Sequence, residues 1–248
     1  LSDSLLFELH QDLPREGPGD DESTRRALSL VTDRALTCTC LDIGCGPGMQ
    51  TIALASATRG RIVAVDTHRP YLARLRRAAQ AQSLDTRISV LQASMFRLPF
   101  GDVTFDVIWS EGAIYLMGFE RGLREWRRLL RPRGVIAVTE LSWLQPHRPD
   151  ELVAFWQTAY PGLQSVEDNL ADVRAAGYRD LGHFVLPESS WWKNYYGPLE
   201  RRAEVLRERH AGDPDVISDL DRTAREIDLF RRHSSSYGYV FFVMQATQ

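Results

Sequence analysis

Apolar residues along the first 141 positions fall into two kinds of block that alternate. Short apolar-rich runs stand at 39–43, 61–66, 88–92, 105–109 and 135–141, and the second is continuous rather than alternating. Such runs predict parallel strands covered on both faces, since a half-exposed strand alternates apolar and polar residues. Between them lie stretches with helical spacing at 24–35, 49–57, 68–83 and 119–130. In the third, Tyr71, Leu72, Leu75, Ala78 and Ala79 share a face; in the fourth, Leu123, Trp126 and Leu130 point inward. Ser23 is placed to cap the helix at 24–35, and Arg131-Pro-Arg-Gly134 reads as a turn. Strands alternating with helices predict βαβ units and a parallel sheet with helices on both faces.

The pattern changes after Leu141. Helices are expected near 150–158 and 166–176, a strand at 178–186, two helices at 198–210 and 215–232, and a last strand at 237–245. In the last helix Val216, Ile217, Leu220, Ala224 and Ile227 form the apolar stripe. Segment 187–236 therefore reads as a helical insertion able to cap the sheet.

The strongest chemical signal is Leu41-Asp-Ile-Gly-Cys-Gly-Pro-Gly48, a glycine loop joining a strand to a helix. Glycines allow a sharp turn and a close approach by a ligand, and the helix start offers free N–H groups. Asp42 precedes the loop, and Asp66 ends the next strand, where a carboxylate accepts both hydroxyls of a ribose. A dinucleotide fingerprint needs a third small residue where Met49 stands. The side chain there argues against a nicotinamide-dependent oxidoreductase, the main rival reading. A non-catalytic cofactor-binding regulatory protein is the second rival.

The G-x-G-x-G spacing, with an acid two residues before it, resembles the first motif of the class I S-adenosylmethionine-dependent methyltransferases. Val90-Leu-Gln-Ala-Ser-Met-Phe-Arg-Leu-Pro-Phe100, Phe105-Asp-Val-Ile-Trp-Ser110 and Leu129-Leu-Arg-Pro-Arg-Gly-Val-Ile-Ala-Val138 resemble its third-, fourth- and fifth-strand motifs. Within that class the chain is similar to the methyltransferase type 11 group, related to ubiquinone/menaquinone methyltransferases. A bacterial small-molecule subgroup shares Trp109-Ser-Glu-Gly-Ala-Ile-Tyr115, Gly118-Phe-Glu-Arg-Gly122, the Leu186-Pro-Glu188 region and the Gly17-Pro-Gly19 turn. The resemblance implies a Rossmann-like α/β fold: a seven-stranded mixed sheet, its last strand antiparallel, helices on both faces, and a helical cap. It also implies one methyltransferase domain over 1–248, with a helical cover at 1–36, a cofactor-binding core at 37–141 and a C-terminal half at 142–248.

On that resemblance S-adenosyl-L-methionine is bound, and S-adenosyl-L-homocysteine released, by Asp42, Gly44, Gly46, Gly48, Met49, Asp66, Ser94, Met95, Ser110, Gly17, Pro18 and Gly19. Ser94 replaces the family's usual aspartate, so its hydroxyl and the Met95 backbone would meet the adenine. Glu111 and Tyr115 are placed to position the acceptor. Trp143, Trp191, Trp192, Tyr195 and Tyr196 are expected around it, the last four as an aromatic lid suited to stacking or cation–π contact. Glu140 flanks the same crevice.

Composition narrows the partners. A net charge of −3, with 44% apolar and 25% charged residues, suits a globular protein and argues against nucleic acid. Arginine supplies all but one of the 30 basic residues, and its cluster from Arg121 to Arg133 reads as a solvated helix face and end. Cys38, Cys40 and Cys45 give no disulfide framework or zinc spacing, and Cys45 is expected to meet ligand. His183 and His233 have no matched metal partners, so no metal is expected. No run has the length of a membrane span and no signal peptide is visible, so a cytoplasmic location is expected. The expected partner is a small-molecule methyl acceptor, with no nucleic acid or membrane, for a monomer or homodimer.

Overall fold

The structure is a computed structural model that describes residues 3–31 and 37–247. Its centre is one mixed sheet. Strands β1 (Thr39–Ile43), β2 (Arg61–Asp66), β3 (Ile88–Gln92), β4 (Phe105–Ser110), β5 (Leu130–Trp143), β7 (Tyr178–Val185) and β8 (Tyr237–Ala246) stand in the order β3-β2-β1-β4-β5-β8-β7. A two-residue β6 (Gln164–Ser165) pairs with the end of β5. The first five strands are parallel, and β8 runs antiparallel between β5 and β7. The order reverses at β1, which pairs with both β2 and β4. A crevice opens at such a switch point, beyond the carboxyl ends of the strands.

Side chains alternate across the sheet. Leu41, Ile43 and Ile108 join Leu123, Trp126 and Phe242 in one core layer. Cys40, Val107 and Trp109 join Ile62, Ala137 and Phe241 in the other. A third apolar cluster lies among the later helices, around Leu152, Trp191, Leu199, Phe230 and Tyr237.

Helices α1 (Asp3–Leu9), α2 (Asp21–Leu30), α3 (Met49–Ala57), α4 (Arg69–Ala81) and α5 (Phe119–Arg127) belong to the first half. Helices α6 (Asp150–Ala159), α7 (Val166–Ala175), α8 (Glu188–Trp191), α9 (Gly197–Arg209) and α10 (Pro214–His233) belong to the second. A π-helical turn, Trp192–Tyr196, links α8 to α9. The 187–236 insertion is thus helical, as its spacing predicts.

Several local expectations are corrected. The cap of α2 is Asp20, whose carboxylate accepts from the Ser23 N–H at 2.7 Å. That helix stops at Leu30, and the expected stretch 32–36 lies outside the described residues. Helix α5 ends at Arg127, and β5 begins at Leu130, so Arg131 and Arg133 belong to a strand, not to a helix end or turn. Pairing with the start of β4 draws this segment into the sheet, although Arg133 has a φ of 62° and the register slips between Phe105 and Val107. On α10 the buried ridge runs through Leu220, Thr223 and Ile227, and Ala224 is exposed.

Candidate active site

The glycine loop forms as its residues require. The Gly44 and Cys45 N–H groups both donate to the Val65 carbonyl, which ties the loop to the end of β2. Gly44, Gly46 and Gly48 have φ values of 71°, 52° and 94°, a region that side-chain-bearing residues rarely adopt. Space is short as well. A Cβ on Gly44 would lie 2.5 Å from the Ala113 Cβ, and one on Gly48 would lie 2.3 Å from a Leu75 methyl. Gly46 instead faces the Glu16 stem, at 3.3 Å for a Cβ.

Asp66 completes the loop. One carboxylate oxygen accepts from the Gly46 N–H at 2.9 Å, the other from the His68 N–H at 2.8 Å. The carboxylate is thereby aimed, and each oxygen keeps a lone pair for a further donor. Asp42 lies behind the loop, fully buried, accepting from the Thr51 hydroxyl at 2.5 Å. Burial pushes its carboxyl up to about 7. Ser110 is also buried and donates to the Ile43 carbonyl. Asp42, Gly48, Met49 and Ser110 therefore shape the loop and do not line the opening in front of it.

That opening is a cleft of about 400 Å³. Of the sequence-predicted site residues, Gly17, Pro18, Gly44, Gly46, Asp66, Ser94, Met95, Glu111, Tyr115 and Tyr195 line it. Segment 10–18 and α1 roof it over. Phe7 stacks on His68 with ring centroids 3.7 Å apart, Arg74 donates to the Leu13 carbonyl, and the Tyr71 hydroxyl donates to Glu16. Gly19 is set back; its lack of a side chain leaves room for the Arg15 guanidinium, which a Cβ would meet at 2.7 Å.

Glu111 differs most from its expected role. Its carboxylate is enclosed, with 1% side-chain exposure, and pairs with Arg15 at 2.5 Å. Its other oxygen accepts from the Thr24 hydroxyl at 2.7 Å and the Trp109 indole N–H at 2.8 Å. The side chain is occupied in anchoring Arg15 and α2 to the end of β4. Arg15 and Glu16, not expected at the site from the sequence, line the cleft beside it. Arg15 Nη1 and Glu16 Oε1 are both buried without a hydrogen-bond partner among the described residues. Burial pushes the Glu16 carboxyl up to about 7.

The aromatic lid does not form as expected. Trp191 stacks on Phe230 at 4.1 Å, Tyr196 donates to Glu226, and Trp143 meets Tyr237, because α10 carries an apolar ridge to that side. Trp192 packs against the same cluster, with Arg231 over its ring. Only Tyr195 reaches the cleft, where the π-helical turn presents it. Cys45 is among the residues that line the cleft, and it is buried beside Ala64, Leu72 and Leu75. Glu140 is enclosed, accepts from the Tyr160 hydroxyl at 2.6 Å, and is pushed by burial to about 8. His183 pairs with Asp180 and His233 with Glu151.

The cleft is lined by two further polar residues that sequence reasoning missed, His10 and Glu226. Leu6, Leu9, Leu116 and Leu199 add apolar wall to the same cleft. No local pattern marks His10 or Glu226; each matters only because chain segments distant in sequence converge there.

A doubly wound sheet, a glycine loop at its switch point and an aimed carboxylate one strand away define an α/β protein built for a nucleoside-containing cofactor. The buried orphan donor on Arg15 fits a ligand that also carries a carboxylate, as S-adenosylmethionine does. Comparison with known proteins agrees. Residues 40–134 match the family model described as a methyltransferase domain. The methyltransferase GfsG of Streptomyces halstedii is 32% identical across 41% of this chain and 37% of its own length. The 27-O-demethylrifamycin SV methyltransferase of Amycolatopsis mediterranei is 29% identical across 95% of this chain and 90% of its own. The chain thus spans little more than a third of the first relative and nearly all of the second. A solved methyltransferase from Geobacter sulfurreducens, in complex with S-adenosylhomocysteine, superposes with a TM-score of 0.81 over 97% of each chain at 15% identity, a likeness of fold. Residues 40–134 carry the methyltransferase-domain match, and the chain is similar to S-adenosylmethionine-dependent methyltransferases along nearly its whole length.

Proposed function

We propose that the chain moves the methyl group of S-adenosylmethionine to a small molecule held in the same cleft. The observation that carries this reading is the continuity of the cleft. One cleft is lined both by the glycine loop and Asp66 and by His10, Tyr195, Leu199 and Glu226, with α1 and segment 10–18 contributing to its wall.

In this reading Asp66 takes the ribose hydroxyls, and the Gly44–Gly46 backbone lets the ligand approach the loop. Arg15 takes the carboxylate, and Ser94 with the Met95 backbone borders the adenine. Gly17 and Pro18 close the cofactor half from above. Asp42, Gly48, Met49 and Ser110 hold the loop in shape, Gly19 seats Arg15, and Glu111 positions it. When bound, the cofactor supplies a methyl group already activated by its sulfonium. The protein's task is then to align the acceptor and keep water out. Tyr115 and Tyr195 wall the acceptor, while Trp143, Trp191, Trp192 and Tyr196 stiffen that wall from behind.

The relative spanning nearly the whole chain is named for a small-molecule acceptor, which supports this class of substrate. The same reading takes 1–248 as one methyltransferase domain, because one sheet runs from β1 to β8. It also takes the protein as a cytoplasmic monomer or homodimer; no described helix is long and apolar enough to cross a membrane.

The test uses methyl-labelled S-adenosylmethionine and a metabolite extract below about 1 kDa. Label is expected in small organic products, with S-adenosylhomocysteine formed in step. Tight cofactor binding with no labelled product would favour a non-catalytic protein instead.

A further inference from the structure

The cleft contains one side chain whose hydrogen bonds fix where its lone pair lies. His10 Nδ1 is 2.8 Å from the Leu6 carbonyl oxygen. A carbonyl only accepts, so Nδ1 bears the hydrogen, and the neutral ring has its lone pair on Nε2. Nε2 faces the Tyr195 hydroxyl at 3.5 Å, too long for a strong bond, so the lone pair is open to a closer donor. The ring is 6% exposed and lines the cleft, and burial lowers its proton affinity. Tyr195 lines the same cleft. Its hydroxyl lies within the electrostatic reach of Glu226, Tyr115, Glu16 and Tyr71, all of which line the cleft.

We propose that His10 is the general base of the reaction, and that the acceptor is a hydroxyl compound with an apolar body. This deepens the methyltransferase reading above and rests on it. His10 Nε2 takes the hydroxyl proton as the acceptor oxygen forms its bond to the methyl carbon. The carbon–sulfur bond breaks, its electron pair stays on sulfur, and the imidazole becomes imidazolium. The Leu6 carbonyl, already bonded to Nδ1–H, stabilises that cation. The body of the acceptor lies against Leu6, Leu9, Leu116 and Leu199, and Tyr195 steadies the hydroxyl beside Nε2.

Of the cleft carboxylates, Glu16 keeps Oε1 without a partner among the described residues but faces Gly46 of the glycine loop, and it accepts from Tyr71 through its other oxygen. Glu226 accepts from Tyr196 at 2.8 Å through one oxygen, and burial raises its carboxyl. Glu111 is saturated by Arg15, Thr24 and Trp109. The titratable groups that share the cleft with His10 are Tyr195, Tyr115, Tyr71, Glu16, Glu226, Glu111, Asp66, His68, Cys45 and Arg15. Of these only Tyr195 is within hydrogen-bond reach of it.

The test combines nitrogen NMR of the free enzyme with the labelled-extract assay. At pH 7.5 the His10 ring is expected to show a protonated Nδ1 and a bare Nε2; the opposite tautomer or an imidazolium would overturn the proposal. His10→Asn keeps an N–H for the Leu6 carbonyl and lacks the basic nitrogen. It is expected to bind S-adenosylhomocysteine as the wild type does and to methylate the same product roughly 100-fold more slowly. The wild-type rate is expected to fall on the acid side with a midpoint below the ordinary histidine value of about 6.5, and the variant is expected to lose that limb. Mass spectrometry is expected to place the label on oxygen. An unchanged rate in His10→Asn, a label on carbon or a tertiary amine, or a loss confined to Glu226→Gln would each overturn the assignment of His10. No transfer by the wild type would instead remove the methyltransferase reading, and the base with it.

Discussion

Glu111→Gln is expected to act first on stability, because the structure encloses this carboxylate in an ion pair. Glutamine keeps the shape and leaves an oxygen to accept from Trp109 and Thr24. It removes the charge opposite Arg15, whose side chain is only 5% exposed. Breaking a buried pair from one side costs about 3–5 kcal/mol, since the remaining charge stays desolvated without compensation. At about 2–4 °C per kcal/mol for a chain of this size, the melting temperature should fall by roughly 6–20 °C. Arg15→Met removes the stranded charge, so the double variant should recover part of the loss, with a coupling of about 1–3 kcal/mol. The assay is a thermal-unfolding cycle on wild type, both single variants and the double variant. A fall below about 2 °C for Glu111→Gln, with strictly additive singles, would refute the reasoning. It would return Glu111 to the role of a free acceptor-binding carboxylate.

Asp66→Ala should weaken S-adenosylhomocysteine binding at least tenfold in calorimetry without changing the melting temperature by more than a few degrees; unchanged affinity would remove Asp66 from the ribose site. Gly48→Val should lower stability by several kcal/mol, because the new side chain meets Leu75 at a left-handed φ, and unfolding by urea reads the loss. Glu140→Gln should flatten the pH dependence of stability. The folded carboxyl titrates near 8 and the unfolded one near its ordinary value of about 4.3, so between them the folded state holds the extra proton. Raising the pH through that window therefore destabilises the wild type, by up to about 1.4 kcal/mol per pH unit. Asp42 and Glu16 titrate with the same sign in both proteins, so the difference between the two melting curves isolates Glu140. Parallel curves from pH 5 to 8 would contradict the buried state of that carboxylate.

The parallel half of the sheet is largely legible in the sequence. Elements β1, α3, β2 and β3 depend on local signals: apolar-rich runs, loop glycines and helical spacing. The cofactor half of the cleft follows because its glycines and Asp66 come from adjacent βα units. What the sequence hides depends on distance along the chain. Arg15 reaches Glu111 across 96 residues, so a carboxylate that looks free at the end of β4 is already paired. Trp191, Trp192 and Tyr196 read as a lid because their density is visible, while the Phe230 that buries them arrives with α10. Arg131-Pro-Arg-Gly134 has turn composition, yet strand pairing with β4 overrides it. His10 has meaning only through the Leu6 carbonyl one turn back and the Tyr195 hydroxyl 185 residues on.

A crystal structure of the chain with S-adenosylhomocysteine tests the central claim most directly. The ribose hydroxyls should donate to Asp66, the carboxylate should meet Arg15 Nη1, and the sulfur should face the chamber of Tyr115, Tyr195 and His10. Density for the ligand outside this cleft, or a ribose that does not touch Asp66, would contradict it.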